Sequence, residues 1–173
     1  MPEEQAPYDT ANETMSLDEY KSEVRGQQTE EEIHRSVIEW ASAQQGARPA
    51  LQLLFHPPNG GKMPKGAAGK MVGLGMRQGV PDLLLPAGRL GGHDGACERI
   101  EYSGLALELK SPSGRLRPTQ AWWLRRLQDQ GWAVAVAWTF GEARATLESY
   151  LAGEHEPQET LDLTIAEAPS HAD

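Results

Sequence analysis

The sequence predicts an α/β fold in which a central sheet is flanked by helices. Apolar residues at helical spacing alternate along the chain with short apolar runs that favour strands. The resulting order is helix, strand, glycine-rich loop, two strands, helix, strand and helix. Chains with this alternation usually bury a sheet beneath its helices.

The first helix is expected to begin after Thr29, because threonine is a good N-cap and three acids follow it in the first turn. Gly46 is expected to end this helix. Residues 51–55 (LQLLF) are predicted to form a short buried strand that stops before two prolines. The glycine-rich stretch 59–79 is interpreted as a loop with one short helix near residues 66–76.

The second half of the chain is predicted to supply the other strands and two more helices. The expected strands cover residues 80–85, 105–110 and 132–138, with a hairpin or extended loop at 86–103. A helix is expected from Pro118 to about residue 130, because proline suits a first helical turn and Gly131 suits the position after a last one. A final helix is expected over about 141–151.

Charge divides the chain into three parts. Residues 1–28 and 153–173 are acidic and poor in apolar residues, so they are predicted to be a disordered arm and a disordered tail around one domain at 29–152. The net charge of the whole chain is −9, but the part between the tails carries a small basic excess. Phosphate binding depends on such local clusters of bases.

Two stretches without acids carry most of these bases. Residues 40–81 contain Arg48, Lys62, Lys65, Lys70 and Arg77, and residues 109–128 contain Lys110, Arg115, Arg117, Arg125 and Arg126. Solvated surface charge is the alternative explanation for any one of these residues. Because both stretches border the same candidate site, described next, a role in binding nucleic acid is favoured.

The candidate site begins with the strand that ends in Glu108-Leu109-Lys110. Side chains alternate between the faces of a strand, so Glu108 and Lys110 are expected on one face and the leucines on the other. Asp82 stands at the start of another short apolar strand. If the two strands are neighbours, both carboxylates and the carbonyl of Leu109 form a set of oxygen ligands suited to Mg²⁺ or Mn²⁺.

Two further polar residues are candidates for the same site. Glu30 lies in the first turn of the first helix, with Glu31 as the second choice, although both could simply complement the helix dipole. Gln120 shares a helical face with Trp123 and Leu124, so it is expected to face the core or the site.

These residues occur within a series of short motifs that resembles a known nuclease family. The motifs are Glu30-x-x-Ile33-His34, Phe55-His56-x-x-Asn59-Gly60, Gly79-Val80-Pro81-Asp82, Glu108-Leu109-Lys110 and Gln120-Ala121-Trp122-Trp123. Together they resemble the virus-type replication–repair nuclease (VRR-NUC) branch of the PD-(D/E)XK superfamily. The resemblance covers residues 29–151 and implies a restriction-endonuclease-like core with a mixed central sheet.

The resemblance also implies a function. It implies metal-dependent DNA cleavage in which Asp82, Glu108 and Glu30 hold Mg²⁺ or Mn²⁺ and Lys110 assists the attacking water. Gln120 is expected to orient Lys110 or the phosphate. The expected contacts to the DNA backbone come from Asn59, Gly60, Lys62, Lys65, Lys70, Arg77, Arg115 and Arg117. Branched DNA such as a four-way junction is the implied substrate, with a homodimer as the active form.

Two departures and several alternatives remain open. His34 stands where the family often has glutamine, and the segment between Asp82 and Glu108 is long. The alternatives are a flap-processing or restriction-type nuclease, a non-catalytic nucleic-acid-binding module and an unrelated α/β protein.

A membrane protein is not expected, because no apolar run approaches the roughly 20 residues of a membrane span. The single cysteine, Cys97, favours a reducing cytoplasm.

Overall fold

The structure of the protein is a computed structural model that describes residues 28–58, 67–93, 98–155 and 158. Its helices are α1 (Glu30–Gln44), α2 (Ala67–Gly73), α3 (Pro118–Asp129) and α4 (Phe140–Ala152), with a 3-10 helix at Pro49–Leu53. Its strands are β1 (Leu83–Leu85), β2 (Arg89–His93), β3 (Glu98–Tyr102), β4 (Leu105–Leu109) and β5 (Ala133–Ala137). Within these described segments, no helix is both long and apolar enough to span a bilayer.

Strand β4 lies at the centre of a mixed three-stranded sheet. It pairs antiparallel with β1 and parallel with β5, while β2 and β3 form a separate hairpin. Helices α1 and α4 pack on one face of the sheet, and α3 packs on the other. The predicted fold class, a central mixed sheet with flanking helices, is confirmed.

The leucines of the central strands build the larger of two apolar clusters. Leu105, Leu107 and Leu109 of β4 are fully buried against α1 and α4. On the opposite face, Ala106 packs with Leu124 of α3 in the smaller cluster. Every residue of β4 is buried, so the strand is covered on both faces.

The ends of the helices follow the predicted local signals. The Thr29 hydroxyl accepts a hydrogen bond from the Glu32 backbone N–H, and the Glu32 carboxylate accepts one from the Thr29 backbone N–H, which forms a capping box. Helix α3 begins at Pro118, and Gly131 follows it with a positive φ of 79°. A left-handed residue of this kind commonly ends a helix.

The prediction of a strand at residues 51–55 is wrong. Pro49 begins a 3-10 helix, in which only Leu51 is buried, and Leu53 is half exposed. Phe55 alone makes a β-bridge, exchanging both backbone hydrogen bonds with Leu84 at the edge of the sheet. A short apolar run does not distinguish strand from helix, and the proline at its start favours the helix.

The predicted arm lies almost entirely outside the described residues, and the predicted tail lies mostly outside them. One tail residue, Gln158, uses its side-chain amide to pair with both backbone groups of Val136, at distances of 3.0 Å. This amide therefore occupies the place of a neighbouring strand beside β5.

Candidate active site

The pairing of β1 with β4 places Asp82 beside Glu108. Leu83 lies opposite Leu107, so the residue before Leu83 reaches the residue after Leu107. The Asp82 Oδ2 atom accepts a hydrogen bond of 2.9 Å from the Leu109 backbone N–H. The two carboxylates expected to converge are therefore brought together by the register of the sheet.

Lys110 lies within a group of oxygen atoms. Its Nζ atom donates to Glu108 Oε1 at 2.5 Å and to the Leu109 carbonyl at 2.9 Å. Glu30 Oε2 lies 3.7 Å from the same nitrogen. Lys110 and Glu108 are both buried, whereas the Glu30 side chain is half exposed. A buried ammonium requires such partners, because burial without them is very unfavourable.

Gln120 contacts Glu108 from the other side of the site. Its Nε2 atom donates to Glu108 Oε1, and its Oε1 atom accepts from the Arg117 backbone N–H at 2.9 Å. The first turn of α3 therefore fixes the orientation of the amide. In the structure the Gln120 amide thus donates to Glu108, whereas the sequence led us to expect that it orients Lys110 or the phosphate.

The second oxygen of Glu108 has no hydrogen-bond partner within the described segments. Glu108 Oε2 is buried, although its neighbour Oε1 accepts from both Lys110 and Gln120. Burial and, next, the nearby Asp82 carboxylate raise the pKa of Glu108 to about 8, against the opposing effect of Lys110. An unpartnered buried carboxylate oxygen is costly unless a proton or a cation occupies it.

The donor set fits a divalent metal ion. Glu108 Oε2, the Asp82 carboxylate and the Leu109 carbonyl are hard oxygen ligands, which Mg²⁺ and Mn²⁺ prefer. The unpartnered oxygen is the observation that favours an ion over a closed ion pair with Lys110.

Two histidines border the same carboxylate. His34 on α1 and His56 lie with their ring centroids 4.6 Å apart, and each has a ring nitrogen within 4.8 Å of an Asp82 carboxylate oxygen. The His56 Nδ1 atom lies 2.6 Å from the Asp82 backbone carbonyl. Partial burial and the neighbouring His56 lower the pKa of His34, while Asp82 and Glu30 oppose this.

Comparison with known proteins decides the family. The family model of the VRR-NUC domain matches residues 28–139. This chain belongs to the VRR-NUC family. Membership implies a nuclease of the PD-(D/E)XK type.

A solved structure supports the same fold. It is described as a VRR-NUC domain protein and is 24% identical to this chain in sequence. The superposition has a TM-score of 0.57 and covers 72% of this chain and 89% of the solved chain. None of the curated protein sequences matches the chain. The family match ends at residue 139, so α4 lies beyond it although α4 packs into the larger apolar cluster.

The glycine of the G-x-P-D motif has a steric role in this VRR-NUC domain. Gly79 has a positive φ of 81°, and a Cβ atom there would lie 2.7 Å from the backbone of Thr119. The adjacent Gln78 carbonyl accepts a hydrogen bond from Trp123 Nε1. The segment leading to Asp82 is therefore held tightly against the start of α3.

The first-turn acids of α1 point in different directions. Glu30 approaches Lys110, whereas Glu31 forms a 2.8 Å ion pair with Arg35 on the exposed face of the helix. Glu32 belongs to the capping box. Of these acids, Glu30 is the one whose carboxylate lies beside the site.

The predicted DNA-binding residues are only partly described. Lys70, Arg77, Arg115 and Arg117 are exposed. Asn59, Gly60, Lys62 and Lys65 lie outside the described residues.

His56 was not among the site residues predicted from the sequence. It is one residue after Phe55, and the β-bridge from Phe55 to Leu84 carries it to the start of β1. Its presence in the F-H-x-x-N-G motif was the available signal. A contact across 26 residues of sequence has no local pattern that would have revealed it.

Proposed function

We propose that this VRR-NUC domain is a divalent-metal-dependent endonuclease that cleaves DNA phosphodiesters, with branched DNA as its preferred substrate. The observation that carries the proposal is the unpartnered buried oxygen of Glu108 beside Asp82 and Lys110. Two carboxylates and one ammonium, which are groups used in the hydrolysis of phosphodiesters, thus lie together at one end of the sheet.

Asp82, Glu108 and the Leu109 carbonyl are the groups that would hold the ion, with Glu30 at the rim. A divalent ion bound there supplies Lewis-acid activation of the phosphate and of the attacking water. The Leu109 backbone N–H holds one Asp82 oxygen, and Gln120 holds one Glu108 oxygen, so both carboxylates are oriented in advance.

Lys110 supplies a positive charge next to the acids. Its ammonium has three N–H groups, two of which are directed at Glu108 and Leu109. The remaining N–H makes no hydrogen bond among the described residues and, with the Glu30 carboxylate 3.7 Å away, would hold a water molecule or a phosphate oxygen. In this buried position the ammonium stabilises negative charge that develops on the phosphate more strongly than it would in water.

We further propose that the active form is a homodimer, because symmetric cleavage of a four-way junction requires paired sites and a C2 dimer supplies them. The tryptophans do not provide the exposed apolar surface, because all five are partly buried. Among the residues that the structure describes, the exposed large apolar side chains are Leu53, Phe55, Val72, Leu74 and Leu90. These residues are better candidates for an interface than the tryptophans.

A cleavage assay on defined DNA forms tests the proposal. Four-way junction, flap, duplex and single-stranded DNA are each incubated with the wild type and with Glu108→Gln, in Mg²⁺ or Mn²⁺. We expect the wild type to cut junctions fastest and the variant to bind them without cutting. Equal cutting of all forms would contradict the preference for branched DNA, and binding without cutting by the wild type would favour a non-catalytic module.

A further inference from the structure

The two histidines beside Asp82 form a set of ligands with a different chemistry from the carboxylate site. His34 comes from α1, His56 follows the β-bridge at Phe55, and Asp82 precedes β1. One ligand atom from each lies within 4.8 Å of the others. Because His56 is exposed and His34 is partly exposed, an ion from solvent can reach both rings.

The hydrogen bond of His56 determines which of its nitrogens is free. A backbone carbonyl only accepts, so the Nδ1 atom that lies 2.6 Å from the Asp82 carbonyl carries the proton in this contact. In the neutral ring the Nε2 atom then has its lone pair available. This arrangement, in which one ring nitrogen is held by a carbonyl and the other is free, is typical of histidines that bind metals.

Asp82 can serve two sites because its oxygens have different partners. Oδ2 accepts from the Leu109 backbone N–H, which leaves the other oxygen without a partner among the hydrogen bonds formed by the described residues. The side chain thus lies close both to Glu108, whose pKa it helps to raise, and to the two imidazoles. A carboxylate in this position can contribute to both sets of ligands.

We propose that His34, His56 and Asp82 form a second metal site, adjacent to the carboxylate site and selective for a transition-metal ion such as Co²⁺ or Zn²⁺. Imidazole nitrogens favour these ions, whereas Mg²⁺ prefers oxygen ligands and retains its waters. The site shares Asp82 with the proposed nuclease centre, but its existence does not depend on cleavage activity.

Titration of the full chain with Co²⁺ tests the site directly. Co²⁺ gives visible absorption that reports its ligands, and calorimetry gives its affinity. We expect His34→Gln and His56→Gln each to weaken Co²⁺ binding by about tenfold or more, since even loss of a supporting contact weakens a metal site by about that factor. His155→Gln is the matched control, because His155 packs beside Tyr102 and Tyr150 instead. It is expected to bind Co²⁺ as the wild type does.

The Glu108→Gln variant separates the two sites. The histidine-dependent Co²⁺ signal is expected to persist in it, while Mg²⁺ binding is lost. Loss of all Co²⁺ binding in Glu108→Gln, or wild-type binding in both histidine variants, would overturn the second site. A protein that binds Co²⁺ through these histidines but cuts no DNA would support the site and contradict the proposed nuclease.

Histidine NMR on the wild-type chain provides a test that does not depend on any variant folding. Addition of Zn²⁺ is expected to shift the ring-nitrogen resonance of the Nε2 atom in His56 and one ring nitrogen of His34. Those of His155 are expected to remain unchanged. Unchanged nitrogen resonances for both His34 and His56 at saturating Zn²⁺ would overturn the proposal.

Discussion

The two faces of strand β4 are equally buried but chemically opposite. On one face, Leu105, Leu107 and Leu109 pack against α1 and α4. On the other, Ala106 packs against α3, and the chain then presents Glu108 and Lys110, with one Glu108 oxygen unpartnered among the described residues. The first face stabilises the fold, whereas the second retains a buried charge that packing alone does not require.

This difference indicates where stability and function are separated. Apolar side chains on the leucine face gain free energy from leaving water. Glu108 and Lys110 have instead lost the hydration of their charges, and each is compensated by the other and by nearby groups. Substitutions on the leucine face should therefore lower stability and spare cleavage, whereas substitutions on the charged face should lower cleavage and spare the fold.

The largest effect is expected from Leu107→Ala on the leucine face. The substitution removes a fully buried side chain and leaves a cavity, so the free energy of unfolding should fall by about 2–5 kcal/mol. Urea denaturation measures this change. Cleavage per folded molecule should be retained, and its loss in a folded variant would show that the faces are not separable.

The charged face should make the stability depend on pH. The pKa of Glu108 is raised from 4.5 to about 8 by burial and by Asp82, so the folded protein holds this proton more tightly than the unfolded chain. The metal-free protein should therefore lose stability, on the order of a few kcal/mol, as the pH rises from about 4.5 to about 8.

Glu108→Gln provides the control for that pH dependence. The amide does not ionise, so the loss of stability over the same pH range should be smaller in urea denaturation of the variant. An identical pH profile for variant and wild type would assign the dependence to other groups.

A smaller effect is expected at the rim of the charged face. Glu30 lies 3.7 Å from Lys110, whereas Glu31 pairs with Arg35 on the solvent side. Glu30→Gln should raise the Mn²⁺ concentration needed for half-maximal cleavage by about tenfold, and Glu31→Gln should change it little. Metal titration of the cleavage rate distinguishes them, and equal mild effects would assign both acids to the helix dipole.

The smallest effect is expected from the acidic arm and tail. Replacing the acids of residues 1–26 and 159–173 by amides removes charge that repels phosphate and keeps Gln158 beside β5. DNA binding should tighten a few-fold at low salt, and the gain should shrink as salt rises. Binding isotherms at several salt concentrations provide the measurement, and weaker binding by the neutralised chain would indicate specific contacts by the acids.

The sequence predicted those parts of the fold that have local signals. Thr29 and the acids after it indicated the start of α1, and Pro118 and Gly131 indicated the limits of α3. The run at residues 51–55 was assigned incorrectly, because its apolar pattern fits both a strand and a helix and its neighbours in space are distant in sequence.

Prediction of the candidate site had a similar limit. Glu108 and Lys110 could be placed on one face because alternation along a strand is a local property. The neighbourhood of Asp82 depends on the β1–β4 register, and that of His56 depends on a bridge between distant residues. The unpartnered oxygen of Glu108 depends on how several elements pack, so no sequence pattern could have indicated it.

The most direct test of the proposed active site compares Glu108→Gln with Glu31→Gln in DNA cleavage at saturating Mg²⁺ and Mn²⁺. Both variants exchange one carboxylate for an amide, but only Glu108 is buried beside Asp82 and Lys110. We expect Glu108→Gln to lower the cleavage rate by about 10²–10³ or more, with folding and DNA binding retained, and Glu31→Gln to cleave as the wild type does. Near-wild-type cleavage by a folded Glu108→Gln variant would contradict the assignment of the charged face as the active site.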